Sequence, residues 1–313
     1  MKAPAWVEGL AEWIEGETTY LSVAFTWKLE EAYDRALFAR AQGMKVMAGG
    51  PALFRPAVTE ERKTDSEFVR AKARLGEIAT VGGSYPEAAT KHNPLATFAS
   101  RGCPVGCWFC VVPAMEGREF TLIPDFVPRP ILCDNNLSGL PAEYQDFIVE
   151  RYMAADVKIK DANSGFEPRS FTPDVYARWK PLINAGGGPW RFAYDDLQER
   201  REVHAVMKML AGERRERKRV YVLIGNEPFA ECMQRIQEVI DAGCEPHVQP
   251  LMKLNALTRS PWVRHDWTDQ KLRLVARWAN RRIWKYAPFA DFDPRLPGRS
   301  AQPEYDAQQG LFL

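Results

Sequence analysis

Ser100-Arg101-Gly102-Cys103-Pro104-Val105-Gly106-Cys107-Trp108-Phe109-Cys110 brings three of the chain's six cysteines into one short segment. Their spacing is C-x-x-x-C-x-x-C, and it follows directly on Leu95–Ser100, a run with strand character. A structural zinc site takes four ligands, usually as two close pairs. Here no second pair exists, because Cys133, Cys232 and Cys244 stand alone in the sequence. An ordinary cubane iron–sulfur centre takes four cysteines. Three neighbouring thiols therefore suggest a cubane with one iron lacking a protein ligand, the open position that a reactive centre needs. A zinc site, or a chance meeting of three thiols, is the competing reading.

Outward from this segment the chain alternates between β-rich runs and amphipathic ones. The strand candidates are Leu95–Ser100, Pro130–Asp134, Asp156–Lys160, Trp190–Tyr194, Arg219–Gly225 and Pro246–Leu251. Between most of them lie helical patterns. The clearest is Glu227–Ala242, with Phe229, Cys232, Met233, Ile236, Val239 and Ile240 on one stripe. A second carries Val203, Val206, Met207 and Leu210, and Thr172-Pro173-Asp174 opens a third with a capping residue followed by proline. Such alternation predicts a parallel sheet with helices outside it. Six strands are two short of a closed eight-stranded barrel, so the expected class is α/β with an open, partial barrel.

The cysteine segment resembles the radical S-adenosylmethionine (SAM) superfamily, whose signature is C-x-x-x-C-x-aromatic-C. Phe109 fills the aromatic position, and the preceding Ser-Arg-Gly-Cys-Pro is similar to the cobalamin-binding and methylthiotransferase branches. The resemblance covers roughly residues 93–286 and implies a partial six-stranded (β/α)6 TIM-like barrel. It implies a [4Fe–4S] cluster on Cys103, Cys107 and Cys110, with SAM chelated at the fourth iron. An electron from a reductant protein such as flavodoxin or ferredoxin would then cleave SAM to a 5′-deoxyadenosyl radical that abstracts a substrate hydrogen. By the same resemblance, Asp134-Asn135-Asn136 stand where the family has a Gly-Gly-Glu type segment on the SAM amino group. Tyr194 and Asp195 correspond to a ribose-contacting strand end, although Asp195 or Asp196 equally suits a helix N-cap. Gly225 and Asn226 correspond to the adenine-contacting strand, and Gln249 ends the sixth strand. No side chain is singled out as the one that reacts with substrate.

Before the core, Thr19–Thr26, Leu29–Ala41 and Lys45–Ala48 read as strand, helix and strand, a small βαβ unit. It ends in Gly49-Gly50-Pro51, similar to the closing turn of cobalamin-binding domains, but the segment holds no histidine before His92 and no Asp-x-His-x-x-Gly motif. Cobalamin is accordingly a weaker expectation than the cluster, and a cobalamin-assisted radical methyltransferase acting on a small molecule or peptide is the alternative enzyme. Residues 1–91 are expected to form this N-terminal region with a connector, 92–290 the barrel, and 291–313 an extended tail. Lys158 and Lys160 alternate on the third strand, either facing the interior toward an anionic substrate or facing solvent. Cys133 suits a small core position.

Composition sets outer limits. With 46% hydrophobic residues the chain can bury a sizeable core, and a net charge of +1 (42 basic minus 41 acidic residues) favours no partner globally. No apolar run approaches a membrane span, and Met1–Trp6 lacks a signal-peptide core, so a cytoplasmic location is expected. Locally, Lys271, Arg273, Arg277, Arg281, Arg282 and Lys285 interleave with Trp278 and Trp284, which suits either nucleic acid or a solvated outer helix with buried tryptophans. The terminal Gln308-Gln309-Gly310-Leu311-Phe312 resembles the peptide by which bacterial replication and repair proteins bind the DNA sliding clamp. That resemblance makes Gln308, Leu311 and Phe312 the anchors. A non-enzymatic iron–sulfur module tethered by this tail is the third reading.

Overall fold

The computed structural model describes residues 5–294, apart from 8, 55–65, 84, 86–87, 89–92 and 164. The chain opens with a meander, β1 (Ala5–Val7), β2 (Leu10–Glu15) and β3 (Thr18–Val23), paired antiparallel. Helix α1 (Leu29–Ala41) then leads to β4 (Lys45–Gly49), and α2 (Ser66–Ile78) leads to β5 (Thr80–Val81). Strands β3, β4 and β5 are parallel, so the expected βαβ unit is present and continues by one strand. The antiparallel β1–β2 pair is not legible in the sequence, because the acids at Glu12 and Glu15 make that stretch read as solvated. Glu12 is instead taken up by Arg35 of α1, 2.7 Å away, while Leu10, Ala11 and Trp13 are buried.

The glycine turn after β4 is filled by the chain itself. A Cβ on Gly49 would fall 2.3 Å from the Gly83 carbonyl oxygen and 2.4 Å from the Tyr85 ring. Tyr85 completes an aromatic cluster with Trp13 and Tyr20, at centroid distances of 5.8 and 5.9 Å. Close approach by Tyr85 and the Gly82–Gly83 backbone thus accounts for glycine at position 49.

The remainder alternates as expected. In chain order come β6 (Ala96–Thr97), β7 (Ser100–Arg101), α3 (Val112–Met115), β8 (Thr121–Leu122), β9 (Ile131–Leu132), α4 (Ala142–Ala154) and β10 (Asp161–Ala162). They are followed by α5 (Pro173–Gly186), β11 (Trp190–Ala193), α6 (Arg200–Met209), β12 (Lys218–Ile224), α7 (Phe229–Asp241), β13 (Glu245–Pro250) and α8 (Asp269–Asn280). Strands β6, β9 and β10 form one parallel sheet in that order, and β11, β12 and β13 form another. The Phe166 amide donates to the Arg191 carbonyl at 2.9 Å, stitching the end of the first sheet to the start of the second. Among the described residues the strands do not close into a barrel.

Helix starts follow local chemistry. Thr172 accepts from the Val175 amide at 3.3 Å with Pro173 in the first turn, and Thr268 accepts from the Lys271 amide at 3.1 Å. One core lies beneath α4 and α5, around Ile148, Tyr152, Trp179 and Trp190; the other lies beneath α6, α7 and α8, around Val203, Ile236 and Val275. Successive strand residues alternate, so Phe192, Tyr194, Val220, Val222 and Val248 pack against helices. Arg191, Arg219, Tyr221 and His247 have the opposite parity and occupy the face away from the helices.

The third strand needs correction. It begins at Asp161, after the expected span of 156–160. Asp156 has φ +51° in the left-handed region, and the Val157 amide donates to the Tyr152 carbonyl, so these residues end α4 instead of starting a strand. Ile159 is buried, and Lys158 and Lys160 are exposed, which answers the choice between interior and solvent in favour of solvent. No described helix is long and apolar enough to cross a membrane.

Candidate functional site

The cysteine loop leaves β7 and is clasped from both sides. The Gly102 amide donates to Glu116 Oε2 at 3.0 Å, and Glu116 is also ion-paired with Arg101. Gly102 has φ +85°, and a Cβ there would lie 2.0 Å from the Glu119 carbonyl oxygen. Both the backbone conformation and the space demand glycine at this point. Gly106, at φ +70°, is favoured by its backbone conformation, with the flexible end of the Arg118 side chain as its neighbour. The Cys110 amide donates to the Cys107 carbonyl at 3.0 Å, closing a turn around Trp108 and Phe109.

Asp134, Asn135 and Asn136, just past β9, fasten this loop residue by residue. Asp134 is fully buried and accepts from the Ala99 amide at 2.9 Å and the Ser100 hydroxyl at 2.5 Å. Burial nevertheless raises its carboxyl to about 6. Asn135 donates to Glu116 Oε2 at 2.6 Å, and Asn136 points its Nδ2 at Cys103 Sγ, 4.0 Å away. The Val112 amide donates to Cys110 Sγ at 3.4 Å. These three polar residues, expected on the SAM amino group, thus spend most of their hydrogen bonds on the cysteine loop.

Facing the loop are the carboxyl ends of the neighbouring strands. Burial raises the Cys107 thiol to about 12, with smaller contributions led by Asp195 and followed by Cys110 and Glu167, which Arg169 opposes. Asp195 is itself pushed up to about 7, first by burial and then by Glu199. Its amide donates to Glu199 Oε2 at 2.9 Å, and its carbonyl accepts from Asn226 Nδ2 at 2.5 Å. Arg169 bridges Glu167 at 2.6 Å and Glu199 at 3.2 Å. Beneath them Arg235, fully buried, donates to the carbonyls of Tyr194 and Leu223 and pairs with Glu227 at 2.8 Å. It holds the ends of β11 and β12 in register.

The structure therefore brings Cys103, Cys107, Cys110, Phe109, Asn135, Asn136, Asp195 and Asn226 to one end of the parallel strands. Gly225 lies there too, in the left-handed region at φ +91°, where a Cβ would fall 3.1 Å from the Leu272 side chain. Gln249 is half-buried at the end of β13. Tyr194 is not brought together with them: its side chain turns into the helix layer, where its hydroxyl meets Glu238 at 2.9 Å. Asp196 caps the following turn through the Gln198 amide at 2.7 Å. His92, Gln308, Leu311 and Phe312 lie outside the described residues. Sequence reasoning missed Glu116, Glu167, Glu199 and Arg235. The misplaced third strand hid Glu167, and nothing in the spacing of the others pointed to the loop.

As a donor set, three thiols share one glycine-shaped turn and two of them have N–H groups directed at sulfur, which is the donor chemistry an iron–sulfur cluster takes. In this geometry no three Cys, His, Asp or Glu side chains among the described residues are gathered closely enough to hold a metal ion. No family model, curated protein or solved structure matches this chain at a significant level.

The basic stretch after residue 270 is largely consumed internally. Trp278 is buried and donates to the Ala287 carbonyl at 2.9 Å; Arg282 and Lys285 reach the buried Glu245 at 2.6 and 3.8 Å. Arg273 pairs with Asp269, and Lys271 sits 3.6 Å from the centre of the Phe229 ring. Trp278 is thus a buried residue of an outer helix, while Trp284, beyond its end, is half-buried.

Proposed function

We propose that this chain is a radical SAM enzyme whose cluster is held by Cys103, Cys107 and Cys110. The observation that carries the reading is the C-x-x-x-C-x-x-C loop at the carboxyl ends of two consecutive parallel three-stranded sheets, where sites of barrel-like α/β proteins are built. On this reading the two sheets are successive halves of a partial (β/α)6 barrel. When bound, the cluster and SAM would supply reductive cleavage of the sulfonium and a 5′-deoxyadenosyl radical for hydrogen abstraction.

The chain's own residues then have separable tasks. Gly102 and Gly106 give the loop its shape, and Asn136 and the Val112 amide direct N–H groups at two of the sulfurs. Asp195 and Asn226 offer polar groups to a nucleoside at the strand ends. Glu167, Glu199 and Arg169 form a polar rim beside Cys107. An electron must come from outside, and a flavodoxin- or ferredoxin-like protein is the proposed donor. The cobalamin-assisted methyltransferase stays the alternative enzyme; the glycine turn after β4, packed against Tyr85, adds nothing to it. The test is anaerobic reconstitution followed by SAM and dithionite: 5′-deoxyadenosine is expected from the wild type and absent from any of the three cysteine-to-alanine variants.

A further inference from the structure

Trp108, inside the cysteine loop, is 45% exposed, an unusual position for an indole with no evident packing role. It faces Trp262 at a centroid distance of 6.4 Å, with the rings inclined by 71°. Arg264 lies 4.8 Å from the Trp262 ring centre and 5.7 Å from that of Trp108, and Lys253 lies 5.5 Å from Trp262. The segment carrying Trp262 is fixed in place. Its amide donates to the Leu251 carbonyl at 2.7 Å, and Met252 bridges Pro261. The two tryptophans therefore stand at the ends of β12 and β13, at the rim of the cysteine loop.

The segment carrying Trp262 is basic: residues 251–265 hold Lys253, Arg259 and Arg264 and no acid. Lys253 and Arg259 are exposed. An exposed indole and a half-buried one interleaved with cations suit a polyanion that also offers flat rings, and an unpaired nucleobase has a free π-face that a paired one lacks.

We propose that Trp108, Trp262, Arg264 and Lys253 form a stacking platform for single-stranded nucleic acid at the mouth of the site. This deepens the radical SAM reading by naming a substrate class, and it depends on that reading only for the role of the neighbouring loop. The platform binds by stacking and phosphate pairing, so it needs neither cluster nor SAM.

The test is fluorescence anisotropy of the full chain with short labelled oligothymidylate and oligouridylate, single-stranded and as duplexes, over a salt series. Both single strands, or one of them, should bind more tightly than duplex. Trp262→Ala should weaken binding at least about tenfold, with Trp262→Phe recovering most of it. The Lys253→Gln/Arg264→Gln pair should lower the salt slope by about 0.7 for each phosphate that is no longer neutralised. This pair also carries the test should Trp262→Ala fail to fold. The proposal is overturned if neither strand binds at low salt, if duplex binds equally, or if Arg273→Gln/Arg281→Gln weakens binding while the platform variants do not. Normal 5′-deoxyadenosine formation with no oligonucleotide binding would remove the platform alone. Oligonucleotide binding with no SAM cleavage would remove the radical reading alone.

Discussion

Gly102 concentrates the account at the scale of a single residue. Replacement by alanine puts a methyl group against the Glu119 carbonyl in a left-handed backbone conformation, so the loop must shift. Gly102→Ala is expected to lose most of the bound iron while the far-ultraviolet circular dichroism stays near wild type; full iron content would show that the loop does not hold the cluster. Cys232 and Cys244 lie buried in the helix-side core, away from the loop. Alanine at either should cost stability and leave the iron content unchanged. His247 makes a separate pH prediction. Burial, followed by Arg219 and Arg191, lowers its pKa from 6.5 to about 3. Below pH 6.5 the unfolded chain therefore takes up a proton that the native one refuses. Stability from this group is complete above 6.5 and falls toward pH 3, by about 1.4 kcal/mol per pH unit within that window. Melting temperatures measured between pH 7 and 5 should fall more steeply for wild type than for His247→Gln; parallel curves would contradict the buried neutral imidazole.

Among elements, the pairing of β11 with β12 depends on Arg235. Its guanidinium serves two strand-end carbonyls and Glu227, all from within the core. Arg235→Met would strand those groups, at an expected cost of about 3 kcal/mol or more, read as the shift in denaturant midpoint. A loss within about 0.5 kcal/mol, as for an ordinary surface substitution, would mean the strands hold register without it. Element placement also shows what can be read from the chain. Helices α1, α5 and α7 announce themselves by stripes and caps, and β11 to β13 by compact apolar runs. The third strand is misplaced by its sequence pattern because Val157 and Ile159 alternate with lysines, which the end of α4 also satisfies when one side is solvent. Tyr194 looks like a site residue from its place at a strand end. Alternation sends its ring to the helix side, and only the register with β12 reveals this.

Across the whole molecule, the three thiols are legible because their spacing is local. Their setting is legible only in part: Asn136 and Asp195 stand at expected strand ends, whereas Trp262 reaches the loop from a distant segment that its spacing does not announce. The segment after β13 joins the parts: Leu257 packs on the core of the N-terminal sheet, and the Ala256 carbonyl accepts from Thr26. The terminal residues 308–313 lie outside the described structure, and clamp binding through Gln308, Leu311 and Phe312 remains a proposal. Deleting them should leave SAM cleavage intact and abolish binding to a bacterial sliding clamp in a pull-down with the purified proteins. Loss of turnover would instead make the tail part of the enzyme.

The central claim is tested most directly by metal and sulfide analysis of protein reconstituted without oxygen. The account predicts about four iron and four sulfide per chain, lost when Cys103, Cys107 or Cys110 is replaced by alanine. A single zinc ion with no inorganic sulfide would contradict it.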